Sequence, residues 1–329
     1  MPKDICYLRK FKVDIVEMSY CVFDLRLIKK GLPYLNFRNT GVVIKSQTLS
    51  PVYLPFISVT AFLAVVVFFL LCGYVRAEGT EVAVPDPCAG PAALLALLDG
   101  PTVSDSACVV PFGHVILETD FQHTYLRAPG GTADNYPEAE LRIGLPGNYE
   151  FVFLPPNYNH QRARYSSASS GLSTITTGIK HEIGYNTKWL GAVEALFTLP
   201  SGGTAFGSRG LGAAFNGILT YSLTAVIGLS LQIGVSSQTE PELAGGRRFT
   251  SLTSDLVATW QPTPKLEFYD EIFGQTNTGP GEGASYNMDG GIQYLITPSW
   301  EVDAEEGVRL IGNLGGFTHY HGFGIKFIF

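Results

Sequence analysis

The sequence predicts an all-β protein: a transmembrane, antiparallel, up-and-down β-barrel of about twelve strands, preceded by a short disulfide-clipped segment. Three observations predict it. From Val115 onward, apolar and polar residues alternate in segments separated by turn signals, the period expected of strands with one face in lipid and one in a lumen. The connections alternate between short and long, which an up-and-down barrel does when its tight turns gather at one rim and its loops at the other. The last nine residues, His321 to Phe329, place Phe323, Ile325, Phe327 and Phe329 on one parity and Gly322, Gly324 and Lys326 on the other, so they read as a strand with a single apolar face.

The strands are expected over 114–127, 136–146, 148–154, 171–183, 189–199, 209–220, 223–235, 250–261, 265–276, 284–296, 300–311 and 318–329. Gly147, Asn186-Thr187, Tyr221-Ser222, Gln261 to Pro264 and Thr297 to Ser299 read as the short turns, and 155–170, 200–208, 236–249 and 277–283 as external loops. Parity assigns Ala225, Ile227, Leu229, Leu231, Ile233 and Val235 to lipid, with Gly228, Ser230, Gln232 and Gly234 inside. Leu141, Ile143 and Leu145 likewise face out, while Glu138, Glu140 and Arg142 face in. Trp189, Trp260 and Trp300 stand beside short turns, where an interfacial aromatic belt belongs. Asp270 and Glu306 fall on the lipid parity, where a charge is costly, and so oppose the assigned register.

Ahead of the barrel, Ile57 to Cys72 is an uncharged apolar run followed by Val75 and Ala77 at signal-peptidase positions, and it reads as a signal peptide over 51–77. A retained membrane helix is the competing reading, since about 20 apolar residues span a bilayer; a lipid-modified Cys72 is a further one, opposed by the large Leu71. Residues 1–50 have no turn chemistry or clear period and read as an overextended start or an uncharacterised leader. Beyond residue 77 remain 12 basic and 25 acidic residues, a formal charge of −13, which excludes nucleic acid as a bulk electrostatic partner.

Residues 78–113 form the segment before the barrel. Its Cys88 and Cys108 are the only cysteines past residue 77, and an oxidising periplasm favours pairing them; two buried thiols are the alternative. Between them, Pro91 to Leu98 reads as a short apolar helix with Pro at its start and Gly100 beyond its end. It has no polar face and must be buried, either as a plug in the lumen or as a periplasmic knot capping the first strand.

The inward parity of the later strands carries Asp255, Glu267, Tyr269, Glu271, Asp289, Glu301, Asp303 and Glu305, with Arg309 and Lys326 as bases. These are the candidate lumen-lining residues, an acidic wall favouring cations or polar neutral solutes, or an ion network that only holds the lumen together. Lys265 is a further base near them. No zinc spacing, GxSxG, HExxH, phosphate loop or dinucleotide fingerprint is present, so no cofactor, metal or enzymatic activity is expected. His319 and His321 at the start of the last strand, and Ser166, Ser167, Ser169 and Ser170 in a loop with His160, are the base and nucleophile candidates for a lipid hydrolase. Asn157 to Tyr165 suit a surface-recognition loop.

Leu196 to Gly202, Gln261 to Leu266 and Asp289 to Asp303 give the stretch from Val115 to Phe329 a resemblance to a family of outer-membrane proteins named for the meta pathway of phenol degradation. The C-terminal strand also resembles the signal, here Phe323, Ile325, Phe327 and Phe329, that the barrel-assembly machinery reads. These resemblances imply a bacterial outer-membrane location, contact with outer-membrane lipid, and a channel or transporter that passes small molecules, hydrophobic or aromatic compounds among them, by diffusion. The Cys88–Cys108 segment and Glu306 depart from the family pattern.

Overall fold

The computed structural model describes residues 84–127, 130–165 and 167–329; the leader and signal-peptide readings lie outside them. Fourteen strands are formed: β1 (Val115–Leu126), β2 (Gly131–Leu145), β3 (Tyr149–Leu154), β4 (Tyr158–Ala163), β5 (Ser169–Leu172), β6 (Thr176–Tyr185), β7 (Trp189–Thr198), β8 (Gly212–Ser222), β9 (Ile227–Thr239), β10 (Arg248–Thr263), β11 (Leu266–Gln275), β12 (Ser285–Thr297), β13 (Trp300–Ile311) and β14 (Phe317–Ile328). Every pairing is antiparallel, and β1 closes the barrel by pairing with both β14 and β2, Leu117 standing opposite Phe327 on one side and Leu141 on the other.

The fourteen segments fill twelve barrel positions. Along β2, Leu141 faces Phe153 and Tyr136 faces Tyr158, an equal step on each strand, so β3 and β4 are one strand with an interruption. The same holds next door, where Leu154 faces Thr176 and Tyr158 faces Leu172. Pro155, Pro156 and, opposite them, Pro137 cause the break, because proline has no amide hydrogen to give the ladder.

Residues 155–170 were expected to be an external loop, and that expectation is corrected: β4 and the first residues of β5 occupy half of them and extend the wall. The turn expected at Tyr221-Ser222 is also corrected. β8 runs through Ser222 and β9 begins at Ile227, which leaves Ala225 in the turn. β2 starts at Gly131, earlier than position 136, and the β2–β3 turn is tight because Gly147 and Asn148 both take positive φ, 81° and 60°.

Burial alternates as a lumen and a lipid face require. Gln232 and Arg142 are buried, while Leu231, Ile233, Phe323 and Phe329 are exposed on the outer face. Trp189, Trp260 and Trp300 are exposed beside the turns, and each packs on an aromatic of a neighbouring strand: Tyr221, Phe268 and Phe327. Asp270 and Glu306 are indeed outward and exposed. Gly290, their shared neighbour across β12, leaves room for Asp270, whose Oδ1 would lie 2.8 Å from a Cβ at that glycine.

The segment ahead of β1 packs inside the wall. Its helix α1 (Ala93–Leu97) buries Leu94, Leu95 and Leu97 against inward-facing Ile116, Leu190, Ala192, Ile218 and Leu295. These wall residues lie near the short turns and form an apolar collar, so a helix without a polar face has a matching surface there. Each leucine taken from water contributes roughly 2 kcal/mol. Leu97→Ala is therefore expected to weaken docking of this segment by about 2–5 kcal/mol, seen as faster proteolysis of residues 84–114 in a barrel that keeps its heat-modifiable migration.

Candidate functional site

Past the apolar collar, the inward positions turn polar and charged, and the chain after α1 crosses the lumen against them. A disulfide joins Cys88 to Cys108 behind this crossing. Asp99 to Asp105 form a strap whose backbone amides are gripped by wall side chains. Glu118 on β1 accepts from the amides of Asp99 and Gly100 at 3.1 and 2.9 Å. Glu271 on β11 accepts from Val103 and Ser104, both at 2.8 Å, and Gln232 on β9 accepts from Asp105 at 2.8 Å. Gln293 on β12 donates to the Gly100 carbonyl at 3.1 Å. Hydrogen bonds that a backbone amide donates to a carboxylate are the strong kind, and they satisfy peptide groups that secondary structure leaves unpaired.

Two buried cations lock the root of the strap. Arg142 on β2 contacts Asp99 at 3.0 Å, Glu118 at 3.1 Å and Glu150 at 2.9 Å, and it donates to the carbonyls of Leu97 and Cys108. Lys180 on β6 reaches Asp99 at 2.7 Å and Glu150 at 3.1 Å. Glu150 also accepts from the Val110 amide at 2.7 Å. On the far side of β1, Lys326 lies between Asp120 and Asp303.

The strap divides the lumen. On the loop side is a cavity of about 360 Å³, bounded by Gly100 to Val103 and by Glu118, Asp120, Glu138, Glu140 and Glu305. On the turn side is one of about 240 Å³, with Leu95, Leu98, Leu190, Leu229, Val257 and Tyr269 among its walls. Thr102 touches both. Along the lumen there is thus a chamber rich in carboxylates, the strap, and a chamber of mixed apolar and polar lining.

The lumen-lining candidates named from the sequence all fall on the inward face. Asp255, Tyr269, Glu271, Asp289, Glu301, Asp303 and Lys326 are buried, and Glu267, Glu305 and Arg309 partly so. They do not converge on one point. Glu271 holds the strap, Glu305 borders the loop-side cavity and accepts from the Tyr269 hydroxyl at 3.3 Å, and Asp289 accepts from Tyr320 at 2.6 Å. Glu267 borders the turn-side cavity, and Arg309 donates to the Gly312 carbonyl at the loop rim.

The grip on the strap's root, made by Glu118, Arg142, Glu150 and Lys180, was missed as a site. These residues show the same inward parity as the later strands, so the signal was present; what sequence could not supply was the course of the preceding segment along this wall.

Ser170 and His160, which no sequence spacing pairs, stand side by side across β4 and β5 with 2.6 Å between Oγ and Nδ1. The Arg162 Nε donates to the other ring nitrogen at 2.8 Å. That nitrogen's lone pair is occupied, so Nδ1 carries the proton and donates to the serine, the reverse of what a general base must do.

Comparison with known proteins agrees with this architecture. The family model described as "Putative MetA-pathway of phenol degradation" matches residues 105–313, and the chain belongs to that family. An outer-membrane channel from Pseudomonas putida F1 is similar in structure, with a TM-score of 0.55 at 12% identity, over 68% of this chain and 98% of that one. The NanC porin follows at 0.44 and 11%, over 64% and 98%, and the KdgM porin at 0.41 and 10%, over 64% and 98%. No curated protein matches the chain. The fold is that of an outer-membrane β-barrel.

Arg142→Met is expected to destabilise the folded barrel by about 3–5 kcal/mol, because Asp99, Glu118 and Glu150 would stay buried without their shared cation. The midpoint of thermal conversion from the compact to the unfolded band in heat-modifiability gels measures it.

Proposed function

Taking that membership as the premise, we propose that this protein is an outer-membrane channel for small molecules, working by passive diffusion, with the strap Asp99–Asp105 as its gate. The observation that carries the reading is the division of the lumen into two cavities that both touch Thr102, at a strap held from the far wall by a single carboxylate, Glu271. A barrel of twelve strands is narrow, and its interior side chains and strap fill much of it. Passage then depends on a local displacement of a few peptide groups and does not require expulsion of the whole segment, which α1, the disulfide, Arg142 and Lys180 keep in place.

The solute class follows from the lining. Five carboxylates border the loop-side cavity, so cations and polar neutral molecules enter more readily than anions. Leu95, Leu98, Leu190, Leu229 and Val257, which make the apolar part of the mixed lining of the turn-side cavity, suit a hydrophobic or aromatic portion of the same solute, the class that the family name suggests. No covalent chemistry is assigned, and the orientation of His160 toward Ser170 argues against the hydrolase alternative. Presentation of Phe323, Ile325 and Phe327 on the outer face of β14, with Phe329 exposed just past its end, supports their reading by the assembly machinery.

Planar-bilayer recording tests the gate. Glu271→Ala removes the acceptor for the Val103 and Ser104 amides, and the variant is expected to show more frequent or larger openings than the parent, with deletion of residues 85–110 larger still. Unchanged conductance in both, with heat-modifiable folding intact, contradicts the gate.

A further inference from the structure

The outer face of β13, β14, β1, β2 and β4 changes character in successive rows toward the loop rim. One row is aromatic: Phe323 faces Phe121, whose ring lies 6.0 Å from that of Tyr136, and Tyr136 lies 5.6 Å from Tyr158. The next row is titratable. Glu306 faces His321, His321 faces His123, His123 faces Asp134, and Asp134 faces His160. Within it, His123 bonds Asp134 at 2.6 Å and His321 lies 4.0 Å from Glu306. The third row holds His319, stacked on Tyr125 at 4.2 Å, then Thr132 and Arg162.

At the rim itself, the Arg164 amide donates to the Gly130 carbonyl and the Gly130 amide to that of Arg127, which brings the two arginines to one edge. The order apolar, imidazole, guanidinium is that of a membrane surface crossed from hydrocarbon into headgroups.

Arg127, Arg162 and Arg164 are exposed, and among the described residues none lies within ion-pair distance of a carboxylate. The remaining bases are differently placed. Arg142, Lys180 and Lys326 are buried in the lumen, Lys188 and Lys265 flank short turns, and Arg309 is partly buried and donates to the Gly312 carbonyl. At another part of the loop rim Arg247 is paired with Glu240 at 3.2 Å, Arg248 donates to the Leu211 carbonyl and the Ser237 hydroxyl, and Arg209 is exposed beside Gly246. What sets Arg127, Arg162 and Arg164 apart is that they share one sector of the rim above the aromatic and imidazole rows with no acid of their own, in a chain whose part beyond residue 77 carries −13, and such a group calls for an anion from outside. Arginine binds phosphate by two parallel hydrogen bonds.

We propose that this sector of the outer wall binds a phosphorylated lipid of the outer leaflet, with Arg127, Arg162 and Arg164 on its phosphates and Phe121, Tyr136, Tyr158 and Phe323 against its acyl chains. His160 positions Arg162 through the bond to its Nε. The reading also gives Glu306 a physical place: it sits beside His321 in the interfacial row.

Native mass spectrometry of the detergent-extracted, folded full chain tests the site, with bis-phosphorylated lipid A and the same lipid stripped of phosphate as probes. The parent is expected to retain the phosphorylated lipid at least about tenfold better than the stripped one, a ratio within reach of a few charged hydrogen bonds. The combined change Arg127→Gln, Arg162→Gln and Arg164→Gln should abolish that preference, while Arg209→Gln, Arg247→Gln and Arg248→Gln together should leave it. Equal retention of the two lipids by the parent overturns the proposal whatever the variants do, and so does an unchanged preference in the first triple variant.

Discussion

A guanidinium removed from water costs several kcal/mol unless its charge and its donors are met, and Arg142 meets them from both halves of the molecule at once. Glu118 and Glu150 come from the wall, Asp99 and two carbonyls from the segment inside it. Neither half satisfies the cation alone. The wall without the inner segment leaves Arg142 and Lys180 with Glu150 but without Asp99, the second carboxylate they share, and the inner segment without the wall leaves Asp99 without a cation and a run of peptide amides unpaired. This mutual requirement fixes the root of the strap, and every feature of the lumen beyond it follows from where that root is placed.

The lumen is accordingly built in two chemistries. Near the short turns the inward positions are Ile116, Leu190, Ala192, Ile218 and Leu295, which take the leucines of α1. Beyond them the inward positions are polar and rich in carboxylates, some held against Arg142, Lys180 and Lys326, some against backbone amides of the strap, and some, such as Asp289 and Glu305, against tyrosine hydroxyls. Burial of apolar surface anchors the segment at one end and charge fixes its course across the pore. The part between Asp99 and Asp105, held mainly by bonds from its amides to side chains, is the portion whose release disrupts least.

Much of this was legible in the residues. The period of two set the facing of Gln232, Arg142 and the later acidic positions, and the alternation of short and long connections set the number of barrel positions. The errors have local causes. Pro155 and Pro156 look like the end of a strand, yet Tyr158 resumes the register with Tyr136 because the neighbouring strand continues past the break; only the pairing reveals that. The turn at 223–226 is built from Leu, Thr, Ala and Val, which carry little turn signal. Glu306 seemed misplaced because one strand gives parity without height, and its row partners His321, His123 and Asp134 come from distant parts of the chain. The strap's grip joins positions far apart in sequence, and no spacing within one strand encodes it.

The claim on which the account turns is that Thr102 stands where the two cavities meet and solute must pass. A cysteine placed there by Thr102→Cys, probed with a membrane-impermeant thiol reagent during planar-bilayer recording, measures this directly. The account predicts modification from either side of the bilayer, with loss of conductance each time. Modification from one side only, or from both without an effect on conductance, would contradict it.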